Sequence, residues 1–146
     1  MKRWTLCLAL LAFAALPLLA AEGWLTDHAK ALEKAKTENK PLVMDFTGSD
    51  WCGWCIKLDK EVFGKPEFKS YAAKNLVLLK LDFPRRRTLP AAEKEQNEAL
   101  AGKYGIRGFP TIVVLDPQGE TLGQLGYQPG GPKPWIAELE KLTQKP

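Results

Sequence analysis

Cys52 and Cys55 are the residues whose type and spacing carry the most chemistry in this chain. Two thiols three positions apart can close on each other as a disulfide and reopen as a dithiol, trading two electrons with another sulfur pair. They sit in Trp51-Cys52-Gly53-Trp54-Cys55, after an apolar strand-like run and before a helical pattern carrying Ile56, Leu58, Val62 and Phe63. At the start of a helix, unpaired N–H groups and the helix dipole favour the thiolate, which is the reactive form.

Other residues compete for a chemical role. Asp45 interrupts the apolar run Leu42-Val43-Met44-Asp45-Phe46, where a carboxylate is costly unless it is paired or protonated. His28, the single histidine, titrates near neutral pH, but beside Ala29 on a polar-flanked helix it reads as structural. Zinc needs four ligands in a structural site, and two cysteines with one distant histidine do not supply them. A purely structural disulfide between Cys52 and Cys55 would close a very small loop and constrain the unfolded chain little. Arg85-Arg86-Arg87 reads as a solvated turn, with docking of an acidic partner as the competing use.

The elements that must position these groups follow from periodicity and breakers. A helix is expected over Trp24–Asn39, with Leu25, Ala29, Leu32 and Ala35 on one stripe. A buried strand follows Pro41, then the turn Thr47-Gly48-Ser49-Asp50 and the cysteine helix, which Gly64 and Pro66 end or kink. A short helix over Glu67–Lys74 leads to a strand over Leu76–Phe83, a loop over Pro84–Pro90 and a helix over Ala91–Tyr104. Thr111–Leu115 and Glu120–Gly126 form a hairpin across the turn Asp116-Pro117-Gln118-Gly119, and a last helix starts at Pro134. This order is an α/β layer arrangement, with parallel crossovers first and an antiparallel hairpin at the end.

Length and composition suit one globular domain: 146 residues, 45% of them hydrophobic. The first 21 residues stand apart. Lys2 and Arg3, an apolar run from Trp4 to Leu19, and the small residues Ala20 and Ala21 describe a secretory signal cut after Ala20 or Ala21. An uncleaved anchor is the competing reading, but the run is short of the about 20 apolar residues of a bilayer span and Pro17 breaks it. Cys7 lies inside this run, not after it, so it is an apolar filler and not a lipid attachment site. Residues 22–146 then form the domain. Losing Lys2 and Arg3 takes the net charge from +4 to +2, which gives no reason to expect nucleic-acid binding. Export places the dithiol in an oxidising compartment, periplasmic or extracellular, where something must set its redox state.

Separated pieces in this order resemble the thioredoxin superfamily. Trp51-Cys52-Gly53-Trp54-Cys55 is similar to that family's Trp-Cys-Gly-x-Cys, and Tyr104-Gly105-Ile106-Arg107-Gly108-Phe109-Pro110-Thr111 to the segment bearing its cis-proline. Val43-Met44-Asp45-Phe46 resembles the strand with the buried acid, and Leu125-Gly126 the glycine beside the active site. The resemblance runs from about Pro41 to the last helix. It departs at Trp54, which replaces a common proline, and in a longer loop and helix after Asp82; these features are more like exported thioredoxin-like proteins.

The resemblance implies a thioredoxin-like fold, a central mixed β-sheet flanked by helices, and a protein-disulfide reductase working through a mixed disulfide. Cys52 is the nucleophile, with its sulfur partly exposed, and Cys55 is the more buried resolving thiol. Similarity to the family assigns the base to Asp45, near Lys80 on the next strand. It also makes Pro110 cis, with Phe109 pairing its backbone to an extended substrate. Trp51, Gly53, Trp54, Phe109, Pro110 and Gly126 would then line the substrate patch, although Trp51 fits core packing equally well. No cofactor beyond the Cys52–Cys55 disulfide and no metal are expected. The expected partners are protein disulfides and an upstream thiol donor, with no nucleic acid and no lasting membrane association, for a monomeric chain. Gly53-Trp54 offers no imidazolium to stabilise a thiolate, so the dithiol reads as a reductant and not a strong oxidant. A non-catalytic peptide-binding or chaperone module using the same groove is the alternative from another class.

Overall fold

The computed structural model describes residues 23–144; the expected signal segment lies outside the described residues. Five strands form one mixed sheet in the order β1-β3-β2-β4-β5. These are β1 (Trp24–Leu25), β2 (Leu42–Thr47), β3 (Val77–Asp82), β4 (Thr111–Leu115) and β5 (Thr121–Leu125). β1 and β2 both run parallel to β3, while β4 is antiparallel to β2 and β5 antiparallel to β4.

β2 and β3 are the sheet's interior strands on the parallel side, and both read as near-continuous apolar runs because each of their faces is covered. Alternate residues serve two core layers. Met44, Phe46, Leu79, Leu81 and Val113 pack against Ala31 and Ala35 of helix α1 (His28–Glu38) and Leu100 of α4 (Ala91–Lys103). Val43, Leu78, Ile112 and Val114 face the other way. They meet Leu58 of α2 (Gly53–Leu58), Phe68 of α3 (Pro66–Asn75) and Trp135 and Leu139 of α5 (Pro132–Thr143). Asp45 follows Val43 by two positions, so it lies on the face beneath the cysteine helix.

Local chemistry sets the element ends. Asp27 caps α1 by accepting the Lys30 N–H at 3.0 Å, and Asn39 ends it in the left-handed region at φ 51°. In the hairpin, Asp116 Oδ1 accepts from the N–H groups of Gln118 and Glu120 at 2.8 and 2.9 Å, and Gly119 supplies φ 91°.

The structure corrects several sequence expectations. The first helix does not begin at Trp24: Trp24 and Leu25 form the edge strand β1, held by pairing to Leu78 and Leu79, a long-range partner no local pattern reveals. Its buried stripe runs through Ala31 and Ala35, while Ala29 faces solvent. The last helix starts two residues early, at Pro132. After Leu58 the cysteine helix widens into a π-helical segment, Asp59–Phe63, closed by the Gly64 N–H donating to Asp59 O at 2.7 Å. A Cβ at Gly64 would sit 3.0 Å from that same oxygen, so the glycine fits this closure closely.

Candidate active site

Cys52 ends the turn after β2 and is the N-cap residue of α2. Its sulfur accepts the Cys55 N–H at 3.2 Å, so an orphan donor of the helix points at it. The two cysteines are joined as a disulfide, with Cα atoms 5.2 Å apart. Cys52 is 6% exposed and Cys55 4%, so the difference in access expected between them is small in the closed form. Their sulfurs differ more in partners. Cys55 Sγ accepts the Gly48 N–H at 3.5 Å, a buried contact from the turn before the motif.

That turn is fixed from below by Asp82, at the end of β3. The Asp82 carboxylate accepts the Ser49 N–H at 2.9 Å, the Ser49 hydroxyl at 2.6 Å and the Arg87 guanidinium. Asn97 of α4, itself buried, donates to the Asp82 carbonyl at 3.0 Å. The next residue on the turn, Asp50, accepts the backbone N–H groups of Arg85 and Arg86 at 2.9 and 2.8 Å. These bonds, led by the one from Arg85, hold its carboxyl below the usual carboxylate range. The three arginines are therefore not a simple solvated turn. They stitch the loop after β3 onto the turn before Cys52.

Trp51 is half-buried between these two segments. Its Nε1–H donates to Phe83 O at 2.7 Å, its ring meets Phe109 edge-on at 5.8 Å, and the Arg85 guanidinium lies 3.6 Å above it. A Cβ at Gly48 would fall 2.5 Å from the same indole, so only glycine leaves room for it. Phe109 also packs on Phe83 at 5.1 Å and is followed by a cis peptide bond to Pro110. On the other side of the cysteines, Trp54 is 58% exposed and rests on Tyr127 at 5.1 Å. Lys57 Nζ sits 5.2 Å from both rings, and Tyr127 donates its hydroxyl to Glu61 at 2.6 Å. Gly126, beside Tyr127, gives its carbonyl to the buried Trp135 Nε1–H at 3.0 Å. Gly53 is exposed, with nothing within 4 Å of where a Cβ would project.

Beneath the cysteine helix, Asp45 is 5% exposed and its Oδ1 has no hydrogen-bond partner. Burial pushes its pKa up to about 7; Lys80 opposes the rise, and the charges of Asp59 and Asp82 add to it. Lys80 faces Asp45 in the β2–β3 register, but its ammonium lies over the Trp24 ring at 5.5 Å and makes no ion pair with Asp45. A buried acid poised near neutrality can hold and release a proton under the dithiol.

His28 is remote from this site: its backbone N–H donates to Gln96 at 2.9 Å, and burial, with help from Lys103, lowers its pKa. Among the described residues, no group of three or more His, Cys, Asp or Glu side chains is placed to hold a metal ion.

The sequence of the thioredoxin-like domain family matches residues 28–142. The chain belongs to the thioredoxin-like family. Within it, the chain is similar to the disulfide bond reductase DsbH of Chlamydia pneumoniae, with 36% identity over 128 residues, 88% of this chain and 77% of that protein. The solved structure of a DsbH oxidoreductase superposes with a TM-score of 0.78 at 35% identity, covering 84% of this chain and 85% of the other. The thioredoxin-related protein DsbJ of the same organism is 32% identical over 103 residues, 70% of this chain but 30% of its own length. The oxidised C-terminal domain of Neisseria meningitidis DsbD shares the fold, with a TM-score of 0.56 at 22% identity over 77% of this chain and 90% of that domain. This thioredoxin-like protein is a thiol–disulfide oxidoreductase, and its mixed sheet flanked by helices is the expected fold.

Sequence reasoning gave no site role to Gly48, Ser49, Phe83, Asp82, Asn97 or Tyr127, and it weighed Arg85 only for docking an acidic partner. Asp82 carried a usable signal, since it ends an apolar strand in the same way that Asp45 interrupts one. The others become visible only when the turn, the loop and the hairpin meet. Among the described residues, no helix is long and apolar enough to cross a membrane.

Proposed function

We propose that the protein reduces disulfides of exported proteins, with Cys52 as nucleophile, Cys55 as resolving thiol and Asp45 as the proton acceptor for Cys55. The observation that carries this reading is the Cys55 N–H aimed at Cys52 Sγ at the helix mouth, which favours a thiolate there. In the reduced protein the Cys52 thiolate attacks one sulfur of the target disulfide. That S–S bond breaks, the other target sulfur leaves and takes up a proton, and Cys52 is now bonded to the sulfur it attacked. Asp45 takes the Cys55 proton, and the Cys55 thiolate attacks Cys52 Sγ. The mixed disulfide breaks, the attacked target sulfur leaves and takes up a proton as Asp45 gives back the one it took from Cys55, and Cys52–Cys55 closes. Two electrons and two protons have moved to the target, and an upstream thiol donor restores the dithiol.

Trp51, Trp54, Phe109 and the Pro110 segment would bind the extended target beside the sulfurs, with Gly53 leaving the approach open and Gly126 backing the far side. Gly53-Trp54 brings no imidazolium between the cysteines, which favours reduction over oxidation. The similarity to a protein named as a disulfide bond reductase supports the same direction. Residues 1–21 would direct export and be removed, leaving residues 22–146 as a monomer in the periplasm or outside the cell.

Reduction of insulin by dithiothreitol tests the class: wild type accelerates it and Cys52→Ser does not. Acceleration by neither, with peptide binding retained, points to a binding module instead. Equilibration with glutathione tests the direction, and a potential near those of strongly oxidising exported enzymes overturns it.

A further inference from the structure

The rim of the dithiol carries cations whose charge the protein does not itself neutralise. The Arg85 guanidinium carbon lies 3.6 Å from the centre of the ring of Trp51, one residue from Cys52, and the side chain makes no ion pair among the described residues. Arg107, exposed two residues before Phe109, makes none either. Arg86 is exposed, and its charge helps to lower the Asp50 carboxyl. On the opposite side, Lys57 sits by the Trp54 and Tyr127 rings and is matched by Glu61 at 3.9 Å, so it is not one of these cations.

The acids of this surface are committed. Asp50 is held by two backbone N–H groups, Glu61 by Tyr127 and Lys57, and the buried Asp82 by Ser49 and Arg87. With Arg87 set against Asp82 and Lys57 against Glu61, the cations left are Arg85, Arg86 and Arg107, facing Asp50. Arg85 is also pre-positioned. Its backbone is tied to Asp50 and its guanidinium is held over the Trp51 ring, with no side-chain hydrogen bond or ion pair among the described residues, so its N–H groups can fork onto a carboxylate.

We propose that Arg85, Arg86 and Arg107 make this oxidoreductase select disulfides whose cysteine is flanked by carboxylates. The occupant is an extended acidic segment, lying across Trp51 and Phe109 with its cysteine sulfur at Cys52. This inference rests on the reductase reading and names the substrate class for the same site. Arg85 and Arg107 act here on binding and orientation, and no electron passes through them.

The test uses three short peptides, each disulfide-linked through one cysteine to the same chromogenic thiol, with Glu, Ser or Lys on both sides of that cysteine. Pre-reduced protein is mixed with each in a single turnover. Rates are divided by those of dithiothreitol alone, which removes the peptides' intrinsic reactivity. At low salt the Glu peptide is expected to react about tenfold faster than the Lys peptide, in keeping with a few weakly screened surface pairs. The gap shrinks in 0.5 M sodium chloride, an order-of-magnitude choice that shortens the screening length to a few ångströms. In Arg85→Glu/Arg107→Glu the order of the Glu and Lys peptides reverses, a change that loss of folded protein cannot produce. Equal rates for all three peptides, a preference for Lys, or an order unchanged in the double variant overturns the proposal. Failure to reduce even the Ser peptide overturns the reductase reading itself, and this inference with it.

Discussion

Two buried carboxylates lie on the same face of the sheet and are treated in opposite ways. Asp82, at the end of β3, accepts from Ser49 twice and from Arg87, and it fixes the turn that precedes Cys52. Asp45, on the neighbouring strand β2, leaves Oδ1 without a partner, and its pKa is pushed up to about 7 by burial. A satisfied acid acts as a strut, while an unsatisfied buried one becomes a proton reservoir. The difference shows which part of the site is built to stay still and which to titrate.

Replacing each acid should therefore move stability in opposite directions. The largest effect is expected for Asp45→Asn. Below about pH 4 the acid is neutral in both states, and the folded chain bears no penalty. As pH rises toward 7 the unfolded chain gives up this proton while the folded one keeps it, so stability falls through that window and the loss is complete above it. At about 1.4 kcal/mol for each pH unit of the gap, ionising Asp45 in the folded protein costs on the order of 4 kcal/mol. Asp45→Asn removes this cost. Urea denaturation of the oxidised protein should find the variant gaining stability over wild type between pH 5 and pH 8. A gap that does not widen with pH refutes the assignment. The same variant should slow resolution of the mixed disulfide on the order of a hundredfold, the usual contribution of a positioned base.

Asp82→Ala should instead destabilise by about 3 kcal/mol, since charge-assisted bonds to Ser49 and Arg87 are lost together. Because the Ser49 turn carries the Gly48 N–H that reaches Cys55 Sγ, its glutathione equilibrium should shift as well. Ser49→Ala removes one of these bonds and should cost about 1 kcal/mol, with a smaller shift in the same equilibrium. Unchanged equilibria in both variants would show that the turn does not hold the resolving sulfur.

The contrast also explains what could be read in the chain beforehand. Asp45 was visible because a carboxylate stands inside an apolar run, and the cysteines because their spacing and helical setting are local. The strands β2, β3 and β4 were visible because burial on both faces imposes a continuous apolar pattern. Residues whose place depends on distant partners were not. Trp24 and Leu25 continue a helical periodicity until pairing to β3 claims them as a strand. Arg85 looks like any solvated arginine until Trp51 and Asp50 are brought under it from 34 and 35 residues away in the chain.

The smallest expected effect on stability tests the side of the site that is not stitched. Trp54 is 58% exposed and is held only by Tyr127 and Lys57, with no hydrogen bond from its indole among the described residues. Trp54→Ala should change unfolding free energy by about 0.5 kcal/mol or less, as surface substitutions generally do. If this ring is a contact for the target, the variant should still raise the KM for a peptide disulfide severalfold while leaving kcat near its wild-type value, because uniform binding is what has been removed. A Trp54 variant that lost stability as Asp82→Ala does would mean that both sides of the dithiol are structural, and the division between a fixed wall and an open contact face would fail.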